Sequence, residues 1–257
     1  MWSRRRTLRL LISRDLKVKY AGSTLGYVWS VLEPLMLAGV YWFVFTQLVK
    51  RNLGSSPYIV FLLCAMLPWQ WANGVLRASM RALSKDAKLV RSTNLPREIW
   101  VLRTVGSRFM EFLFSLPVLA LFAILTGAHV SWHVVFFPVA MAIQAALLLG
   151  LSLILAPVAV LYSDVERLVR IVMRLLFYFS PIIYGIHDIS HRLGHVAGRF
   201  YVLNPFAGIL DLYRTAFFAD QWSGWLSITV SVVAAAVSLV VGFAVFRRLE
   251  GAVLKEI

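Results

Sequence analysis

Long apolar runs separated by short basic stretches dominate the pattern of this chain. The first run, 25–49, holds one ionisable residue, Glu33, followed by Pro34. Further runs cover 58–76, 105–126, 132–162, 168–185 and 225–246. A helix of about 20 apolar residues crosses the hydrocarbon core of a bilayer. The pattern therefore predicts an all-α integral membrane protein with six transmembrane helices in a single domain spanning 1–257. The run 132–162 exceeds the need, which predicts tilt or protrusion. Pro68, Gln70 and Asn73 fall in the second half of the second run and predict a kink or a polar-lined end.

Three polar stretches carry structure of their own. Residues 3–20 read as an amphipathic helix lying in the interface: Leu8, Leu11, Ile12 and Leu16 share one face, Ser13, Arg14 and Lys17 the opposite one. Leu10, Asp15 and Lys19 break that pattern. In the basic loop 77–103, Asn94 is an N-cap candidate, and Pro96 and Glu98 suit the first turn behind it. That predicts a short helix within the loop. Residues 200–219 are apolar but are interrupted by Asn204-Pro205, Gly208, Asp211 and Arg214. They fail as a span and predict an outer re-entrant helical segment between spans five and six, tolerable if buried against protein.

Composition sharpens the class. The chain has 257 residues, 60% of them hydrophobic, and a mean hydropathy of +0.76. Soluble domains run about 45–50% apolar. The net charge of +14 would suggest nucleic acid in a soluble chain. Here the cations lie between apolar runs, where they set topology and meet anionic headgroups, so no nucleic-acid partner is expected. With the N-terminus inside, 21 of the 26 Lys and Arg fall on the cytoplasmic side and 5 on the outer side. That bias predicts six spans with both termini cytoplasmic. The lone cysteine, Cys64, sits in an apolar run and excludes an intramolecular disulfide.

The chemistry of common enzymes is missing. There is no G-x-x-x-x-G-K-[ST] loop, no H-E-x-x-H and no Cys/His cluster, and Gly150-Leu151-Ser152-Leu153-Ile154 lacks the second glycine of a nucleophile elbow. No catalytic residue, cofactor or metal site is expected. The five histidines fall at or near outer turns. Glu33 and Glu111 lie inside predicted spans, where a carboxylate is expensive. Each is expected near the inner headgroups, paired with Arg or Lys. Aromatics are dense along the first and fifth runs, and read either as interface belts and packing or as a surface on which sugars stack.

Ordered motifs then point to a family. Arg14-Asp15-Leu16-Lys17-Val18-Lys19-Tyr20, Leu25-Gly26-Tyr27-Val28-Trp29 and Leu32-Glu33-Pro34-Leu35 resemble the opening of type-2 ABC exporter permeases, in particular those for lipid-linked polysaccharides such as O-antigen, teichoic acid, capsule and galactan. Asn94-Leu95-Pro96-Arg97-Glu98-Ile99 resembles that family's coupling segment. Tyr162-Ser163-Asp164-Val165, Phe177-Tyr178-Phe179-Ser180-Pro181 and Leu203-Asn204-Pro205-Phe206 resemble its later signatures, with Ser163 standing where arginine is common.

The resemblance implies a permease without its own ATPase site, in a bacterial cytoplasmic membrane. It would form a homodimer, dock two copies of an ABC ATPase and export a polyprenyl-diphosphate-linked glycan among membrane lipids. Asn94, Leu95, Pro96, Arg97 and Glu98 would couple to the ATPase. Arg4, Arg5, Arg6, Arg14, Lys17 and Lys19 would form an inner-leaflet gate suited to a diphosphate. Tyr41 and Phe45, four apart, and Phe177 and Tyr184, seven apart, would each share a helix face and line the substrate pathway as an aromatic sleeve. The alternatives are a type-2 ABC exporter of a small lipid or drug, and an integral-membrane enzyme acting on lipid-linked sugars. The absence of an Asp-x-Asp or His/Ser constellation counts against the enzyme.

Overall fold

The computed structural model describes residues 5–23, 26–44, 56–93, 95–185, 201–222 and 224–256. Nine α-helices stand among the described residues, and no strand: α1 Arg5–Tyr20, α2 Trp29–Trp42, α3 Tyr58–Ser79, α4 Ala87–Ser92, α5 Glu98–Leu125, α6 Phe136–Leu161, α7 Val165–Phe179, α8 Pro205–Thr215 and α9 Trp225–Glu256. Short 3-10 turns precede α2 and α6 and follow α8.

Four helical segments are long and apolar enough to cross a bilayer: Tyr58–Ser79, Glu98–Leu125, Trp132–Leu161 and Trp225–Glu256. A shorter apolar helix covers Val31–Trp42. The outer part of the predicted first span lies outside the described residues. The predicted fifth span, 168–185, departs from expectation. Its helix stops at Phe179, and Ser180 is extended at φ −102° and ψ 147°. The residue before a proline is driven out of the helical region, and Pro181 follows. The result is a short helix whose faces differ sharply, with Met173 buried and Leu168, Ile171 and Leu175 exposed.

α3 is the hub. Of its most apolar window, 83% is buried inside the protein, against 22% for α9. It packs on α2, α5, α6, α7 and α8. Buried polar ties fix its register: Ser79 Oγ donates to Ser152 Oγ at 2.8 Å, and Gln144 Nε2 donates to the Pro68 carbonyl at 2.8 Å.

α6 and α9 make the most intimate pair. A Cβ at Gly150 would fall closer than 3.0 Å to the backbone of Ser238 and Leu239, and one at Gly242 would do the same to Gly150. Small residues let helix backbones approach where the surrounding lipid gives no hydrophobic reason to associate. α8 packs on this pair and on α3. Asn204 caps α8, its side chain accepting from Phe206 N–H at 3.0 Å, with Pro205 in the first turn. Every residue from Phe206 to Thr215 is buried. The interruptions in the sequence are thus the devices of a buried helix. Gly208 lets Ser227 approach, and Arg214 stacks 3.7 Å above the Phe61 ring. Arg214 also donates to the carbonyls of Ile182 at 2.7 Å and Tyr184 at 3.1 Å.

Candidate functional site

A cavity of about 620 Å³ opens between α1, α2, α3, α5 and α7. On α3 and α7, which each line it over about two turns or more, cations and aromatic rings are separated along the helix. Along α3, Trp69 precedes Arg77; along α7, Arg170 and Arg174 precede Phe177. Eight residues of helix are about 12 Å, so chemistry changes along the cavity rather than around it. At the end near α1 stand Lys19, Arg77, Arg108, Arg170 and Arg174, with Glu33 and Glu111 as the carboxylates. Further in are Tyr41, Trp69, Trp71, Phe112, Phe177 and Tyr178. Gln70 and Asn73 line it too, so the second half of α3 is the polar-lined end that its sequence predicts.

The aromatic end is organised by ring contacts. Phe177 meets Trp69 edge-on at 5.9 Å, and Trp69 meets Phe206 of α8 at 5.5 Å. Trp71 stacks on Phe112 at 4.9 Å. Such pairs keep ring faces in fixed positions.

The cationic end is held by ion pairs between elements far apart in sequence. Lys19 Nζ and Arg108 Nη1 both reach Glu111 Oε2 at 2.8 Å. Beside them Arg103, with a side chain 3% exposed, takes Asp15 Oδ2 of α1 through Nε at 2.8 Å and Asp86 Oδ2 of the loop through Nη2 at 2.6 Å. Asp15 breaks the amphipathic pattern of α1 because it is the residue that binds Arg103. Outside the apolar zone Arg81 donates to both oxygens of Glu166, at 2.9 and 2.7 Å, and holds that carboxyl below its ordinary range.

Of the predicted pathway residues, Tyr41 and Phe177 line the cavity, and Phe45 lies outside the described residues. Tyr184 is a correction. It shares no helix face with Phe177, because α7 ends before it, and its hydroxyl bonds to the Tyr201 hydroxyl and the Tyr178 carbonyl. Of the gate residues, Arg5, Arg6, Arg14, Lys17 and Lys19 are exposed on α1, whose Leu8, Leu11, Ile12 and Leu16 are half-buried; Arg4 lies outside the described residues. Glu111 pairs with Lys19 and Arg108 as its sequence position suggests, whereas Glu33 makes no ion pair among the described residues.

The coupling stretch also reads differently. Asn94 lies outside the described residues, and Leu95, Pro96, Arg97 and Glu98 are half-buried. Glu98 opens the 28-residue helix α5, so no separate short helix begins there. The loop's own helix is α4, with Lys88, Leu89 and Arg91 exposed. Arg97 binds Glu250 of α9 at 3.1 Å and braces the start of α5.

Arg77, Arg108, Arg170 and Arg174 were legible only as topology signals. The i, i+4, i+7 spacing of Arg170, Arg174 and Phe177 was the available hint that they share a face.

A profile of the ABC-2 type transporter family matches residues 6–218. The chain belongs to that family. Among curated relatives, the O-antigen export system permease protein RfbA of Klebsiella pneumoniae is 29% identical over 244 residues, 95% of this chain and 92% of the relative. The Myxococcus xanthus protein of the same name is 28% identical over 211 residues, 82% and 80% of the two chains. The polysialic acid transport protein KpsM of Escherichia coli is 22% identical over 257 residues, 96% and 95%. This ABC-2 family chain is thus a multi-pass transport permease, and the family match covers α1 through α8, among them every helix that lines the cavity.

Proposed function

We propose that the chain is the membrane subunit of an ATP-driven exporter that carries a lipid-linked cell-envelope polysaccharide, with the glycan on a polyprenyl diphosphate, out of a bacterial cytoplasm. The observation that carries this reading is the order of side chains in the cavity. A phosphate headgroup at the inner leaflet needs cations, and a sugar chain needs ring faces and hydrogen-bonding tips. The cavity offers both in that sequence, within a chain that aligns with O-antigen permeases over 95% of its length.

In this reading the membrane holds six spans with both termini inside, α7 being a short fifth crossing. α8 is a re-entrant helix near the outer face, held there by Arg214. Two copies face each other, and two ATPase subunits dock below. Residues 94–98 and α4 receive the ATPase stroke, and Arg97 passes it to α9 through Glu250. α1 lies at the inner headgroups, where its basic face guides the diphosphate towards Lys19. Tyr41, Phe45 and Phe177 give the sugars successive weak stacking contacts.

Reconstitution tests this. The chain and its ATPase are placed in vesicles carrying a fluorescent lipid-linked glycan. ATP should move the glycan to the far leaflet, where an added glycosidase digests it. Movement of a small amphiphilic drug with no movement of the glycan would replace this reading with the drug-exporter one.

A further inference from the structure

We propose that Glu111 stands in for phosphate: its carboxylate holds Lys19 and Arg108 until the phosphate of an incoming lipid headgroup takes its place. This rests on the cavity being the substrate route. Lys19 and Arg108 converge on one oxygen, Glu111 Oε2, each at 2.8 Å. The carboxylate is 17% exposed, while the side chains of Lys19 and Arg108 are 40% and 32% exposed. The acid thus sits behind its cations, which remain reachable from the cavity. The same three residues wall off the large cavity from a second one of about 210 Å³.

The neighbouring cations are occupied to different degrees. In the smaller cavity Arg103 is taken by Asp15 and Asp86, and Arg81 by Glu166. In the larger one Arg77, Arg170 and Arg174 have no carboxylate within 4.0 Å among the described residues. A phosphate drawn to those three arrives beside the Glu111 pairs. It offers more acceptor oxygens than one carboxylate, a diphosphate also carries more charge, and both lysine and arginine bind phosphate well. The exchange breaks only ion pairs, and Glu111 re-forms them when the phosphate leaves.

Two consequences follow. The stand-in lowers apparent affinity by the fraction of time it occupies the cations, which favours release. It also reports arrival to α1, because Lys19 lies in the last turn of that helix, just before Gly22 at φ +78°. Once Lys19 moves to the ligand, α1 keeps Asp15 on Arg103 and Ile12 against Gly106 but loses its C-terminal tie to α5.

Full-length protein in detergent tests the exchange by quenching of tryptophan emission from the cavity during titration with farnesyl diphosphate, inorganic pyrophosphate or phosphatidylglycerol in nanodiscs. Glu111→Gln should bind farnesyl diphosphate about tenfold more tightly, and adding Lys19→Gln should cancel the gain. Glu111→Asp, which keeps the charge but withdraws it, should bind more tightly by a smaller factor. An equal gain for phosphatidylglycerol supports the exchange and assigns the phosphate to bilayer lipid; a gain confined to the diphosphates assigns it to the glycan carrier. Wild type that binds none of the three probes contradicts the cavity's reading as a phosphate route. Wild-type binding with unchanged or weakened affinity in both folded Glu111 variants overturns the exchange alone.

Discussion

α6 and α9 lie so close that neither Gly150 nor Gly242 leaves space for a Cβ, whereas α2, α3, α5 and α7, though packed on one another, leave a cavity of about 620 Å³ between them. The close pair is joined by small residues and a serine that bonds within the seam: Ser238 Oγ donates to the Leu147 and Ala235 carbonyls at 3.4 and 2.9 Å. The open group is joined at its cationic end by charge, through Arg103, Glu111 and their partners. Backbone packing of the first kind has one arrangement and tolerates no displacement. Ion pairs can be exchanged for other ion pairs. In the proposed reading the α6–α9 pair is scaffold and the cavity between α1, α2, α3, α5 and α7 is the working surface, and substitutions should separate them.

The largest effect should come from the scaffold. Gly150→Leu must push α9 away along its length and should destabilise the fold by about 3 kcal/mol or more. Unfolding of the purified protein by denaturant, or loss of membrane-inserted protein, measures it. An ordinary stability for this variant would mean that the two helices are not in fixed contact. Arg103→Ala comes next on stability, at about 3 kcal/mol, because it strands two part-buried carboxylates. Its signature is regional: hydrogen exchange should rise in α1 and around Asp86 and stay low in α9.

The rings of the working surface should behave in the opposite way. Tyr41→Ala and Phe177→Ala should cost less stability than Gly150→Leu or Arg103→Ala, since both side chains border the cavity on one side, and should lower export by about threefold each and about tenfold together. Surface glycan at matched protein level is the readout, and a loss of protein in place of transport would return both residues to the scaffold.

The smallest effect is expected at the rim. Glu166 has its carboxyl held below its ordinary range by the hydrogen-bonded Arg81. A carboxyl with a depressed value in the folded state stabilises fully above its unfolded value and loses that contribution as pH falls through the folded one. The bridge should therefore be intact at neutral pH and loosen only as pH falls below the ordinary carboxyl range, in a slight shift that Glu166→Gln removes. The exposure of Arg81 keeps that shift small.

Much of the scaffold was legible because lipid and helix impose simple demands. Of the six runs read as spans, four are helices long and apolar enough to cross, and Asn204-Pro205 announced the cap of α8. The half-buried face of α1 follows from Leu8, Leu11, Ile12 and Leu16. Two boundaries were missed for local reasons. Pro181 ends α7 before Tyr184, and Glu98 begins a long helix where a short one was read, because hydropathy weakens at Arg103 while the backbone remains helical. The site was only half legible. Tyr41 and Phe177 stood out as aromatics, but the cations looked like orientation signals. Which acid meets which base depends on contacts such as Asp15 to Arg103 and Lys19 to Glu111, and no spacing rule reaches that far along a chain.

The central claim, that the glycan passes through the graded cavity, is tested most directly by photo-crosslinking during transport. A photoreactive amino acid replaces Tyr41 or Phe177 in the assembled, ATP-driven exporter, with Val240 on the exposed face of α9 as the comparison site. Passage through the cavity predicts glycan adducts at Tyr41 and Phe177 that depend on ATP, and none at Val240. Active export with adducts absent from both cavity positions would contradict it.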